Sequence, residues 1–116
     1  PIKTRRTADG IAWFDFSELC DTPRAVADFI ELARSYHTVL IANIPQMGLA
    51  QDDNMARRFI QLVDEFYDRN VNLIVSAAGS PSTLYSSGRL KGPFQRTRSR
   101  LEEMSSREYL SRLHLP

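Results

Sequence analysis

Cysteine is nearly absent from this 116-residue chain: Cys20 stands alone. No internal disulfide can form, and a reducing compartment is expected. Histidine occurs twice, at His37 and His114, too sparse a supply of nitrogen and sulfur ligands for a His/Cys zinc site. Glycine numbers five, and neither Gly-x-x-x-x-Gly-Lys-Ser/Thr nor Gly-x-Gly-x-x-Gly occurs, so the chain carries no glycine-built phosphate cradle. Long apolar runs are missing too. Stretches such as Val39-Leu40-Ile41-Ala42 fall far short of the roughly 18 residues of a membrane span. No basic segment followed by an apolar one opens the chain, so no secretory signal is expected. Position 1 is Pro1 rather than Met, and a fragment is the expectation.

What remains is ordinary for a globular domain: 42% hydrophobic and 25% charged residues, enough apolar matter for one core and a length that suits one domain. The net charge of +1 hides a lopsided make-up, because Lys3 and Lys91 are the only lysines and the other cations are arginines. Acids crowd the middle, from Asp15 to Asp68. From Arg89 to Arg100 the cations Arg89, Lys91, Arg96, Arg98 and Arg100 follow one another without an acid. Guanidinium groups present a planar fork of donors suited to phosphate or carboxylate. Such a segment can hold nucleic acid, a nucleotide phosphate or an acidic partner surface, or simply be a solvated face paired with the acidic half.

Periodicity organises the chain as strand, helix, strand, helix, strand. Ile11–Phe16 is aromatic-rich and preceded by Asp9-Gly10, a turn pair. Thr22-Pro23 reads as N-cap and first helical residue of a helix whose apolar positions are Val26, Phe29, Ile30, Ala33 and Tyr36, ending near residues 35–37. Thr38–Ile44 is apolar on successive positions, the mark of a strand covered on both faces. A second helix spans Asp52–Arg69, with Met55, Phe59, Leu62, Val63 and Phe66 inward, acids at its positive end and Asn70 as its C-terminal cap. Val71–Ala77 is a third strand of the same buried type. Beyond Gly79 the pattern loosens into a helical turn near 82–85, a helix from Phe94 to Arg100, a short strand over Leu101–Met104 and a terminal helix opening at Ser105. The expected fold is α/β, a small, mainly parallel three-stranded sheet flanked by helices.

Most single residues with reactive chemistry have a plainer reading. His37 fits a helix-end residue hydrogen-bonded to nearby carbonyls, and Cys20 a small buried side chain. Asp52-Asp53 and Asp64-Glu65 are neighbours on helices and point about 100° apart, so they do not form acid pairs. Trp13, Phe14 and Phe16 read as core aromatics rather than a base-stacking platform, and nucleic acid is not expected as a partner.

The informative segment runs from Val71-Asn72-Leu73-Ile74-Val75-Ser76 through Pro81, Gly88-Arg89-Leu90 and Phe94-Gln95-Arg96-Thr97-Arg98-Ser99-Arg100-Leu101. A strand with a polar end, a proline-led turn and an arginine-bearing helix resembles the late part of an AAA+/P-loop core. Adding Arg57-Arg58-Phe59-Ile60-Gln61-Leu62-Val63-Asp64-Glu65-Phe66-Tyr67-Asp68-Arg69, Trp13–Phe16 and Arg34–Leu40, the chain resembles the C-terminal part of the AFG-like ATPase family from about Thr7 to Leu110. The resemblance implies a larger P-loop ATPase whose Walker motifs lie upstream, which uses ATP and Mg²⁺, and whose isolated C-terminal piece is inactive. It also implies other subunits of the same ATPase and a protein partner in cell division or proteostasis, in a bacterial cytoplasm or a mitochondrion. Ser76 would be the candidate nucleotide sensor. Arg100, with Arg98 in reserve, would be the candidate arginine acting in trans on a neighbouring subunit's nucleotide. The family often has an Asp at the end of the second strand, where this chain reads Ala42-Asn43-Ile44-Pro45, so a metal role is not expected there. The alternative is a non-catalytic interaction module that docks through the arginine-rich 89–100 segment.

Overall fold

Asp9 and Gly10 both take positive φ, 46° and 82°, as a two-residue hairpin turn requires. They join β1 (Arg6–Ala8) to β2 (Ile11–Asp15). Residues 4, 6–79, 83–85 and 89–104 are described by the computed structural model of the chain. After β2 come α1 (Phe16–Cys20), α2 (Val26–Ser35), β3 (Thr38–Ile44), a 3₁₀ turn at Ala50–Asp52, α3 (Asp53–Asp68), β4 (Asn72–Ala77) and α4 (Lys91–Met104). The sheet order is β1-β2-β3-β4, with β1 antiparallel to β2 and the other pairs parallel. The sheet is therefore four-stranded and mixed, not three-stranded: the Asp9-Gly10 turn adds a strand too short and too polar to announce itself.

Each helix start has a local cause. Asp15 Oδ1 accepts from the Ser17 amide at 3.2 Å and the Ser17 hydroxyl at 3.1 Å, so the chain turns into α1 and Phe16 leaves the strand assigned to it. Thr22 does not cap α2. Its hydroxyl donates to the Glu18 carbonyl at 3.1 Å, closing α1, and α2 begins at Val26, where Asp28 Oδ2 accepts the Ala25 amide at 2.9 Å. The end of α3 matches the expectation closely. Asn70 takes φ 54°, its amide donates to the Tyr67 carbonyl at 3.2 Å, and the Val71 amide donates to the Phe66 carbonyl at 3.0 Å. That pair of bonds is a Schellman motif.

Two further expectations are corrected. Leu101–Met104 is not a strand but the last turn of α4, because Phe94, Thr97, Leu101 and Met104 share one buried stripe at helical spacing. The helix also starts earlier than Phe94, since Pro93 lies in the first turn, where its missing amide has no partner to lose. The turn expected near 82–85 falls partly, and the helix from Ser105 wholly, outside the described residues. β4 is not covered on both faces either: Ile74 is 53% and Val75 40% exposed, because β4 is the outer strand and the helices pack from one side.

The core lies between the sheet and the helices. Phe14, Val39 and Ile41 from the strands meet Phe16, Leu19, Phe29, Phe59, Leu62, Val63 and Phe66 from α1, α2 and α3. Phe59 is central, with ring centroids 5.8 Å from Phe16 and 6.2 Å from Phe94. Each such ring withdrawn from water contributes roughly 1.5–3 kcal/mol before entropy is charged against it.

The amino end of the sheet is fastened at His37. Its amide and that of Thr38 donate to the Gly10 carbonyl at 2.9 and 3.3 Å, and its carbonyl accepts the Asn72 amide at 2.9 Å. The ring Nε2 stands 3.1 Å from the Asp9 carbonyl, which can only accept, so Nε2 carries the proton. Nδ1 then accepts from the Thr38 hydroxyl at 2.8 Å. Gly10 is required here, because a Cβ would lie 2.6 Å from the His37 ring.

Candidate functional site

α4 carries the arginines that the sequence singles out. It is seated by Phe94, which stacks on Phe59 and, at 5.4 Å between centroids, on Tyr85. With that face fixed, Arg96 and Arg100, one turn apart, converge on α3. Arg96 reaches Asp64 Oδ2 at 2.7 Å and Arg100 reaches Asp64 Oδ1 at 2.6 Å. The Arg100 guanidinium also lies 4.6 Å from the Tyr67 ring centroid, a cation–π contact, and the Tyr67 hydroxyl donates to Glu103 at 2.8 Å. Ahead of the helix, Arg89 pairs with Asp53 at 2.9 Å.

Arg98 differs. Two positions from Arg100, it lies on another face of the helix. Its side chain is 44% exposed, and it meets Glu102 of its own helix at 3.9 Å, too long for a hydrogen bond. The two candidate arginines thus stand in opposite situations: Arg100 is committed to α3, while Arg98 faces outward. Ser76 is exposed near the carboxyl end of β4. Among the described residues it makes no hydrogen bond to either arginine, so the structure does not join the three into one constellation.

The carboxyl ends of the parallel strands, where α/β sheets bind ligands, hold a polar pair of which the sequence reading noted only Asn43. Asn43 takes φ 63° at an irregularity in the β3–β4 pairing, and its side-chain amide donates to Asp15 Oδ2 at 2.9 Å. An aspartate at this position would set two carboxylates against each other with no donor between them. Among the described residues, no group of three or more His, Cys, Asp and Glu side chains could hold a metal ion. Among the described residues, the strand ends carry no lysine and no glycine-rich loop of their own to hold a magnesium–triphosphate group. His37 is occupied by the hairpin. Cys20 is fully buried, and burial pushes its thiol well above the ordinary range, which leaves it inert as a nucleophile. Among the described residues, no helix is long and apolar enough to cross a membrane.

The fold defines an α/β domain with polar side chains at its strand ends and arginines along α4. A sequence model of the AFG1-like ATPase family matches residues 1–113, and the chain belongs to that family. It is 44% identical over 115 residues to the cell division protein ZapE of Escherichia coli K12, covering 99% of this chain and 30% of that protein. It is 37% identical over 103 residues to lactation elevated protein 1 homolog B of Danio rerio, covering 89% of this chain and 20% of that protein. The chain therefore spans less than a third of the length of these relatives. No solved structure matches it.

Proposed function

We propose that this chain is the C-terminal part of a longer AFG1-like ATPase that couples ATP hydrolysis to action on a protein partner, and that it supplies an arginine in trans to the nucleotide of a neighbouring subunit. The observation that carries the residue choice is the contrast on α4. Arg100 would have to leave a 2.6 Å ion pair with Asp64, whereas Arg98 would give up only a 3.9 Å contact with an exposed carboxylate, an exchange that costs little. Arg98 is therefore preferred to Arg100. ATP and Mg²⁺ would be held by residues outside this chain, which has no phosphate cradle. Ser76 would meet a nucleotide lying over the strand ends. A role in cell division follows the name of the bacterial relative.

In the full-length protein, Arg98→Ala is expected to lower ATPase turnover by as much as roughly 10³-fold with nucleotide affinity nearly unchanged, because the arginine would act on the transition state. Arg100→Ala is expected to act chiefly through the seating of α4. Mixing Arg98→Ala subunits with subunits that lack the Walker lysine restores part of the activity if the arginine works between subunits. Normal turnover in Arg98→Ala overturns the assignment and returns the 89–100 segment to structural or partner-binding duty. The 116-residue chain alone is expected to show no micromolar affinity for Mg-ATP by titration calorimetry.

A further inference from the structure

The segments that leave the carboxyl ends of β3 and β4 are stitched together ahead of α4. The Met47 amide donates to the Leu84 carbonyl at 2.7 Å, the Gln46 side-chain amide donates to the Thr83 carbonyl at 3.0 Å, and Met47 and Tyr85 form an isolated parallel bridge. Tyr85 is rooted in this strut and is 4% exposed. Its ring lies against Phe94 with 20° between the planes, and its hydroxyl is used in both directions. It accepts the Leu90 amide at 2.9 Å and donates to Asp53 Oδ1 at 3.3 Å, while Asp53 Oδ2 takes Arg89 at 2.9 Å. A phenol oxygen set between an amide that only donates and a carboxylate that only accepts has its proton direction fixed.

Leu90 immediately precedes α4, and its carbonyl accepts the Phe94 amide at 2.8 Å. In a capping box the side chain three residues on would accept the Leu90 amide. Here that residue is Pro93, which has no acceptor to offer, and Tyr85 supplies one from another segment. Farther along, Asp64 grips Arg96 and Arg100, two places to either side of Arg98. Leu90 stands eight residues before Arg98, about 12 Å along the helix. A helix held at one point can swing about it; held at two, its direction is set. We infer that Tyr85 is a positioning residue whose hydroxyl fixes the start of α4, and with it the reach of Arg98, relative to the strand ends where Ser76 stands. This rests on the reading of Arg98 as the arginine that acts in trans. Tyr85 works through Arg98: it sets the spacing between parts of the site built on different elements, and small misplacements of such groups are costly.

Tyr85→Phe in the full-length protein keeps the ring against Phe94 and removes only the hydroxyl. It is expected to lower kcat about tenfold with KM for ATP within about twofold of the unaltered protein. In an Arg98→Ala background the same change is expected to cost less than about twofold, because a residue that acts through Arg98 has nothing left to position. Where Arg98→Ala is itself impaired, normal turnover in Tyr85→Phe overturns the inference. So does an equal loss in the two backgrounds, which would make the hydroxyl a stabilising group and no more. A second measurement separates this inference from the arginine reading. Hydrogen exchange of the same full-length protein, read by mass spectrometry, is expected to be at least about tenfold faster over residues 90–94 in Tyr85→Phe, with residues 59–63 of α3 unchanged. If Arg98→Ala alone turns over normally, the arginine reading fails, and faster exchange keeps Tyr85 as the residue that positions α4. Unchanged exchange overturns the inference whatever the arginine does.

Discussion

β3 and β4 are near twins in composition, Thr-Val-Leu-Ile-Ala-Asn-Ile against Asn-Leu-Ile-Val-Ser-Ala, yet they live in different surroundings. Ile41 of β3 is 1% exposed, and its register partner, Val75 of β4, is 40% exposed. The central strand has neighbours on both edges and helices over one face; the outer strand has one neighbour and stands beside an apolar groove. That groove, about 520 Å³, is lined by residues such as Leu73, Val75, Leu84, Leu101 and Met104. The same apolar composition therefore gives a closed core position in a central strand and a half-open one in an outer strand.

The comparison can be broken most directly at the paired positions. Ile41→Ala is expected to destabilise the chain by about 2–5 kcal/mol, the cost of a cavity in a closed core, measured by urea unfolding. The hairpin that starts the sheet comes next. Gly10→Ala forces a side chain into a positive φ and against the His37 ring, and about 1–3 kcal/mol is expected, with the loss seen equally in thermal and chemical unfolding. Asp64→Ala removes the acceptor shared by Arg96 and Arg100 and is expected to cost about 1 kcal/mol, with hydrogen exchange of α4 amides rising more than that of α3. Smallest of all, Val75→Ala is expected to cost under about 1 kcal/mol in this chain. A loss as large as that of Ile41→Ala would mean that the two strands are equally enclosed and the contrast is false.

Much of this architecture was legible in the residues. The strand Thr38–Ile44 and the helix near 52–69 came from periods that only one structure satisfies, and Asn70 signalled its own left-handed turn. What escaped was carried by short-range chemistry or long-range pairing. β1 is three residues long, and its one signal is Asp9-Gly10. α1 hides behind the Asp15 cap, and the apolar residues Leu101 and Met104 suit either period until Phe94 and Thr97 are counted with them. In the site, the arginines were visible as a run without acids. Their division into an anchored Arg100 and an outward Arg98 was not, because Asp64 sits on a different helix and no local pattern links it to them.

The fastening of the sheet at His37 has a mechanical consequence. One residue gathers the amino ends of β2, β3 and β4 through its amide, its carbonyl and its ring, while at the other end the β3–β4 pairing is irregular and Asn43 bends out of the strand. The amino ends of three strands are therefore constrained as one unit by a single residue, while the carboxyl ends are joined pair by pair, β2 to β3 through Asp15 and Asn43 and β3 to β4 through the Ile44 carbonyl and the Ala78 amide.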